Sequence, residues 1–99
     1  MTINTEKKDA AVTLHISGRL DTTTAPELEN TVKAMPNDIK ELTLDMAEVT
    51  YISSAGLRVL LVAQKEMNKK QGQMTLTHVN ETVMEVLEVT GFTDILTIA

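Results

Sequence analysis

The feature that most constrains the fold is a run of three segments. The outer two alternate apolar and polar residues, and the middle one repeats apolar residues at helical spacing. Residues 39–46 read IKELTLDM, and residues 74–79 read MTLTHV. Such alternation is typical of half-buried strands. Residues 55–70, which lie between them, repeat apolar side chains at helical spacing. The order strand, helix, strand predicts two parallel strands joined by a right-handed crossover.

Further elements are predicted before this unit. Residues 11–17, AVTLHIS, alternate as a strand, and a shorter strand around TINTEK could pair with it through KDA. A helix follows, with Thr24 and Glu27 in the spacing of a capping box and Pro26 in the first turn. Pro36 marks the exit from this helix.

The region after the central unit predicts one more helix and a final strand. Gly72 is predicted as the C-terminal cap of the long helix. Asn80 is predicted to cap a last helix that Gly91 ends, and DILTIA closes the chain as a strand or strand-like tail. The sequence therefore predicts one α/β domain over residues 1–99, with a mixed sheet of four to five strands and three or so helices.

Composition excludes several classes of function. The 99 residues contain no cysteine, which excludes disulfides, thiolate catalysis and cysteine-ligated metals. The 14 acidic and 9 basic residues give a net charge of −5, which disfavours nucleic acid and anionic membranes as partners. No apolar stretch has the length of a membrane span, and the first ten residues lack a signal-peptide core. A cytoplasmic protein is expected.

Two adjacent serines stand at the start of the long helix, in the segment TYISSAGLRVLLVA of residues 50–63. Ser53 and Ser54 follow a strand, at the sheet edge where open α/β sheets bind ligands. The free N–H groups and positive dipole end of a helix start favour an anion or a phosphoserine. A purely structural interpretation is also open, in which Ser53 caps the helix, Ser54 fills the first turn and Gly56 permits close packing.

Catalytic and cofactor sites are not predicted. His15 and His78 are the only histidines, both within predicted strands, and neither serine lies in a G-x-S-x-G or S-x-x-K motif. The four glycines match no nucleotide-binding loop. Asp45 lacks the acidic pair and the lysine of a phospho-accepting aspartate, and no cluster of metal ligands is visible. No enzyme activity, cofactor or metal is expected.

The GRLD of residues 18–21, followed by LTLDMAEVTYISSAGLRVLL of residues 42–61, resembles the STAS domain family. More narrowly, the chain looks like the stand-alone bacterial anti-sigma-factor antagonists. That resemblance implies that Ser54, two places before Gly56, is phosphorylated by an anti-sigma factor with an ATP-dependent serine-kinase domain. It also implies a metal-dependent serine phosphatase that resets the switch. The implied partner-binding residues are Asp21, Ser53, Ser54, Gly56, Leu57 and Arg58.

Two other interpretations stay open beside this partner-switching function. Members of the family often carry aspartate where this chain has Ser53, and that difference favours a STAS scaffold without phosphorylation, such as a subunit of a sensory or transport complex. Asp21 has the simpler alternative of a turn-forming residue. A small-ligand site in the cleft at the strand edge is the third interpretation.

Overall fold

The computed structural model describes all residues, 1–99, as one mixed sheet with three helices. In space the strands follow their order in the chain, with β1 antiparallel to β2 and every other neighbouring pair parallel. The predicted α/β architecture is confirmed, with five strands. The strands are β1 (Thr2–Lys8), β2 (Ala11–Leu20), β3 (Glu41–Ile52), β4 (Gln73–Thr77) and β5 (Thr97–Ile98), and the helices are α1 (Ala25–Lys33), α2 (Ser54–Lys69) and α3 (Glu81–Val89).

Only one face of the sheet carries the hydrophobic core. Leu14, Leu44 and Leu76 are partners in the registers of β2, β3 and β4, and each is completely buried. Full burial of such a side chain contributes about 1.5–3 kcal/mol. The intervening positions face the other side of the sheet and are polar, as in the half-buried row Thr13, Thr43 and Thr75. The helices therefore cover the apolar face and leave the polar face open.

A chain of charged hydrogen bonds crosses this open face. His15 Nδ1 lies 2.7 Å from Asp45 Oδ2, and His15 Nε2 lies 2.7 Å from Glu6 Oε1. His78 Nδ1 lies 3.0 Å from the other Asp45 oxygen. The hydrogen bonds to Asp45 and then to Glu6 raise the pKa of His15 above 6.5, and His15 in turn lowers the pKa of Asp45. When it is protonated, His15 thus ties β1 and β3 to β2.

This pairing predicts a pH-dependent stability. Because the folded pKa of His15 is raised, its stabilisation is fully present below about pH 6.5 and is lost as pH rises through the raised pKa. We expect the Tm of the wild type to fall between pH 6 and pH 9 by more than the Tm of His15→Gln does. Calorimetric melts at both pH values measure the difference. An equal fall in both proteins would show that the His15 network does not stabilise the fold.

The structure corrects the end of the third strand. The predicted strand covers residues 39–46, but β3 continues through residues 47–52 and ends at Ile52. The pairing with β2 shifts register twice there, and each shift gives β3 one extra residue. Met46, Val49 and Ile52 are buried, so the buried positions recur every third residue. Two β-bulges therefore replaced the alternation by which strands are recognised in a sequence.

The predicted capping box at α1 is wrong. The Thr24 side chain makes no capping hydrogen bond to the helix. Its hydroxyl instead donates to the Arg19 carbonyl at 2.7 Å and accepts from the Asp21 amide at 2.9 Å. The Thr24 hydroxyl therefore bonds to the backbone of the GRLD turn and stabilises that turn, so it is not available to cap α1.

The C-terminal cap of α2 is also one residue away from its predicted position. Gln71, with φ of 60°, occupies the left-handed position, and the Gly72 amide donates to the Met67 carbonyl at 2.8 Å. Gly72 is needed for packing, since a Cβ there would lie 2.7 Å from the Lys40 carbonyl oxygen. The caps of α3 are as predicted, because Asn80 Oδ1 accepts from the Val83 amide at 2.9 Å and Gly91 has φ of 79°.

Candidate functional site

Ser53 connects the end of β2 to the start of α2. Its amide donates to the Leu20 carbonyl at 3.0 Å, and its own carbonyl accepts from the Leu57 amide at 2.9 Å. Its hydroxyl oxygen accepts from the Gly56 amide at 3.4 Å, the arrangement of a helix N-cap. The first of the two serines is therefore a structural residue.

Ser54 has no such structural task. It is the first residue of α2, its side chain is exposed, and its hydroxyl makes no hydrogen bond within the chain. The amides of Ser54 and Ala55 likewise donate to no protein acceptor. Free amides at a helix start favour an anion by about 0.3–1 kcal/mol. Ser54 thus presents a free hydroxyl at a position where the helix start stabilises a negative charge.

Gly56 and Leu57 do not share this exposure. Both belong to the buried part of α2, and Leu57 is only 8% exposed, because each residue advances about 100° around the helix. A Cβ on Gly56 would lie 2.6 Å from the Leu20 carbonyl oxygen and 2.8 Å from Cγ1 of Ile52. Among the six residues expected to bind a partner, these two are packed against the rest of the domain, and their contact with a partner stays a prediction.

This close contact makes Gly56→Ala a sensitive test of the packing. Alanine gains up to about 1 kcal/mol in helix propensity, but overpacking against a backbone carbonyl costs about 1–3 kcal/mol. We expect a net loss of roughly 1–2 kcal/mol in the free energy of unfolding, measured by urea denaturation.

Ser54→Ala is the matched control, since it alters an exposed neighbour on the same helix turn and should change stability by less than about 0.5 kcal/mol. A Gly56→Ala protein as stable as the wild type would show that α2 does not depend on contact with Leu20.

Asp21 organises the turn between β2 and α1. One of its carboxylate oxygens accepts from the amides of Thr23 at 3.0 Å and Thr24 at 3.2 Å, and the other lies 3.4 Å from Arg19 Nε. Partial burial alone would raise the pKa of Asp21, but these amides and Arg19 outweigh it and lower the pKa. Asp21 therefore has the turn-forming role, since it accepts hydrogen bonds from two amides of the turn. Because Leu20 bonds to Ser53, the same turn also lies beside the start of α2.

The structure adds two surface residues that the sequence did not single out. Arg19 and Tyr51 are register partners in β2 and β3, and the guanidinium carbon lies 4.2 Å from the centre of the ring. Tyr51 is 40% exposed. Arginine and tyrosine are enriched among the residues that dominate binding energies at interfaces. The sequence feature that could have identified Tyr51 as a site residue is its position three residues before Ser54.

Positive charges are divided between the two ends of the sheet. Arg19 and Arg58, the only arginines, lie at the end where β3 runs into α2. The seven lysines lie toward the opposite end or in the second half of a helix leading there: Lys7, Lys8, Lys33, Lys40, Lys65, Lys69 and Lys70. The serine end therefore carries arginines, whose planar guanidinium groups suit phosphate and carboxylate recognition.

The arrangement around the serines offers no catalytic base. His15 and His78 both bind Asp45, and neither contacts a serine. No group of three or more His, Asp or Glu side chains is arranged to hold a metal ion. None of the helices combines the length and hydrophobicity needed to cross a bilayer. This end of the sheet instead presents a free hydroxyl, two arginines and an exposed tyrosine, side chains that suit contact with a partner.

Comparison with known proteins identifies the family to which this chain belongs. The family model described as Mlab, STAS domain matches residues 3–97. The chain therefore belongs to the STAS family, as its motifs indicated.

Individual relatives are similar over most of their length. BtrV of Bordetella bronchiseptica, which carries the name of an anti-sigma factor antagonist, is 32% identical over all of this chain and 86% of its own. The anti-sigma-B factor antagonist of Listeria monocytogenes is 28% identical over 94% of this chain and 82% of its own. The structure of unphosphorylated SpoIIAA, an anti-sigma factor antagonist, matches with a TM-score of 0.78 over 99% of this chain and 87% of its own, at 14% identity. The phosphorylated form of this Bacillus protein matches with a TM-score of 0.77 at 15% identity, over 99% and 91% of the two chains.

Proposed function

We propose that this chain is an anti-sigma-factor antagonist that acts by partner switching. Unmodified, it binds an anti-sigma factor that has an ATP-dependent serine-kinase domain, and phosphorylation of Ser54 ends that binding. The observation that carries the proposal is the contrast between the serines. Ser53 is held as a helix cap, whereas the Ser54 hydroxyl is exposed and without a hydrogen bond. The names of the relatives support the same role.

The chemistry belongs to the partners, and this chain is their substrate. The Ser54 oxygen attacks the γ-phosphorus of ATP, the bond from that phosphorus to ADP breaks, and the hydroxyl proton passes to a base of the kinase. In the reverse direction, a metal-dependent serine phosphatase uses water to return serine and inorganic phosphate. The chain supplies only a hydroxyl that is presented on a rigid helix start.

Phosphorylation is expected to disrupt the interface and leave the fold intact. Ser54 packs against nothing in the core, and the free amides of the first turn accommodate an anion. A phosphoserine brings about −1.5 to −2 charges to a surface that fitted a neutral hydroxyl. Burying such a charge without a partner costs several kcal/mol. Since each 1.4 kcal/mol is a tenfold change in affinity, a loss of about two orders of magnitude or more follows.

Incubation with the cognate kinase and ATP is expected to place one phosphate on Ser54 and none on Ser53. The reason is that the Ser53 hydroxyl is turned into the helix as its cap. Intact mass counts the phosphates, and fragment-ion mapping locates them.

Two variants make the assignment decisive. Ser54→Ala should take up no phosphate, whereas Ser53→Asp, which keeps a capping side chain, should still be modified at Ser54. Phosphate on Ser53 that persists in Ser54→Ala would overturn the proposed site.

The surface around Ser54 is expected to contribute directly to binding of the unmodified protein. Tyr51→Ala removes the exposed ring and the contact with Arg19, and we expect about a tenfold or larger loss of affinity for the kinase. Asp21→Asn keeps the oxygen that accepts from Thr23 and Thr24 but removes the charge, so it should weaken binding with little change in Tm. Calorimetric titration and thermal melts measure both quantities.

Val89→Ala is the matched control for these variants. Val89 is also an exposed apolar residue, 78% accessible, but it is the last residue of α3, away from Ser54. Its affinity for the kinase should equal that of the wild type. If Tyr51→Ala and Asp21→Asn also bind like the wild type while folded, the partner contacts a different surface.

The second candidate is a STAS scaffold that acts by packing and carries no phosphate. Ser53 favours it, because an acidic residue often precedes the modified serine in the family. The phosphorylation and binding experiments described above distinguish the two candidate functions. A chain that forms a stable complex, takes up no phosphate from the kinases of its own cell and tolerates Ser54→Asp would be a scaffold.

A further inference from the structure

We propose that Arg58 is the internal counter-ion of phosphorylated Ser54, and that it positions the phosphate against the first turn of α2. This inference rests on the proposed phosphorylation of Ser54 and concerns how the modified state is held. In the unmodified protein Arg58 is free for a partner, and in the modified protein it turns onto the phosphate.

The spacing of the two residues carries the first part of the inference. Ser54 and Arg58 are separated by four residues on α2, so their side chains are neighbours on one face of the helix. An acidic group placed four residues before a cation is the more favourable orientation of such a pair. Ser54, Arg58, Ala55 and Thr22 line a single open depression of about 420 Å³, which has room for a phosphate group.

The charges at this end of the sheet carry the second part. Arg19 is already engaged, with Asp21 at 3.4 Å and over the ring of Tyr51. Arg58 is exposed and makes no ion pair or hydrogen bond, so it is the only unpaired cation beside Ser54. The acidic groups of the adjoining turn and helix are Asp21, which Arg19 and two amides hold, Glu27 in the first turn of α1, and Glu29, which pairs with Lys33 at 2.9 Å. None of the three forms an ion pair with Arg58.

Consequently the modification would change the partner surface twice. It would add a dianion at Ser54, and it would withdraw the positive charge of Arg58 from the same surface. An interface that used Arg58 to meet an acidic group of the kinase would lose that contact at the moment the phosphate appears.

The test measures the phosphate directly and requires no kinase. Phosphoserine is incorporated at position 54 during synthesis by genetic code expansion, and its second pKa is read from the ³¹P chemical shift against pH. A phosphoserine titrates near pH 6 without a partner. Arg58→Gln should raise this pKa by about 0.15–0.4 unit relative to the wild type, and Arg58→Lys should lie between them.

Arg19→Gln is the matched control, because it removes the other arginine of the same end. It should leave the phosphate pKa close to that of the wild type. In ¹⁵N spectra the Arg58 Nε–H signal should move on modification while that of Arg19 stays in place. Melts of each protein check that it is folded at the pH values used.

An unchanged phosphate pKa in folded Arg58→Gln would overturn the pairing, and so would equal shifts in Arg58→Gln and Arg19→Gln. Either result would leave the proposed function standing, because phosphorylation of Ser54 by the kinase is measured separately. Conversely, a kinase that modifies another residue would remove the proposed function, even if the ³¹P titration shows the pair.

Discussion

The contact on which the site depends is the approach of α2 to the Leu20 carbonyl at the end of β2. That oxygen accepts from the Ser53 amide at 3.0 Å, and the Gly56 position leaves no room beside it for a Cβ. The contact brings the GRLD turn against the start of α2 and sets the rotation of the helix. Leu57 is thereby directed into the core, while Ser54 and Arg58 stay at the surface.

The same junction separates stability from regulation. The capping, the close packing and the strand bonding are performed by Ser53, Gly56 and Leu20. Ser54 takes part in none of them, so a phosphate can be added or removed without cost to the core. The arginines and Tyr51 lie at the same end of the sheet as this free hydroxyl, whereas the lysines lie away from it. The proposed switch therefore acts by charge on a surface whose shape the fold keeps constant.

Much of the fold was predictable because most strands alternate apolar and polar residues, while the helices repeat apolar residues at helical spacing. Residues 11–17 lie within β2, β3 begins at Glu41, two residues after its predicted start, and α2 begins at Ser54, one residue before its predicted start. The bulged half of β3 was missed because period two is lost where Met46, Val49 and Ile52 are buried. The caps at Thr24 and Gly72 were misplaced for a different reason. The Thr24 hydroxyl is taken by the Arg19 carbonyl of the preceding turn, and Gly72 is constrained by the Lys40 backbone of another strand connection, and neither contact has a signature in the sequence pattern.

The candidate site was predictable only in part. The resemblance indicated Ser54 and Asp21, but it could not separate the exposed Arg58 from the buried Leu57, since that depends on the rotation of α2. Arg19 and Tyr51 meet because of the two register shifts between β2 and β3, which have no local signature.

The most direct test of the central claim is to compare the affinity of the unmodified and Ser54-phosphorylated proteins for the cognate anti-sigma factor, by calorimetric titration with ADP present. We expect at least about a hundredfold weaker binding after modification, with a Tm within a few degrees of the unmodified protein. Equal affinities would contradict it, and so would a loss of binding that occurs only because the modified protein has unfolded.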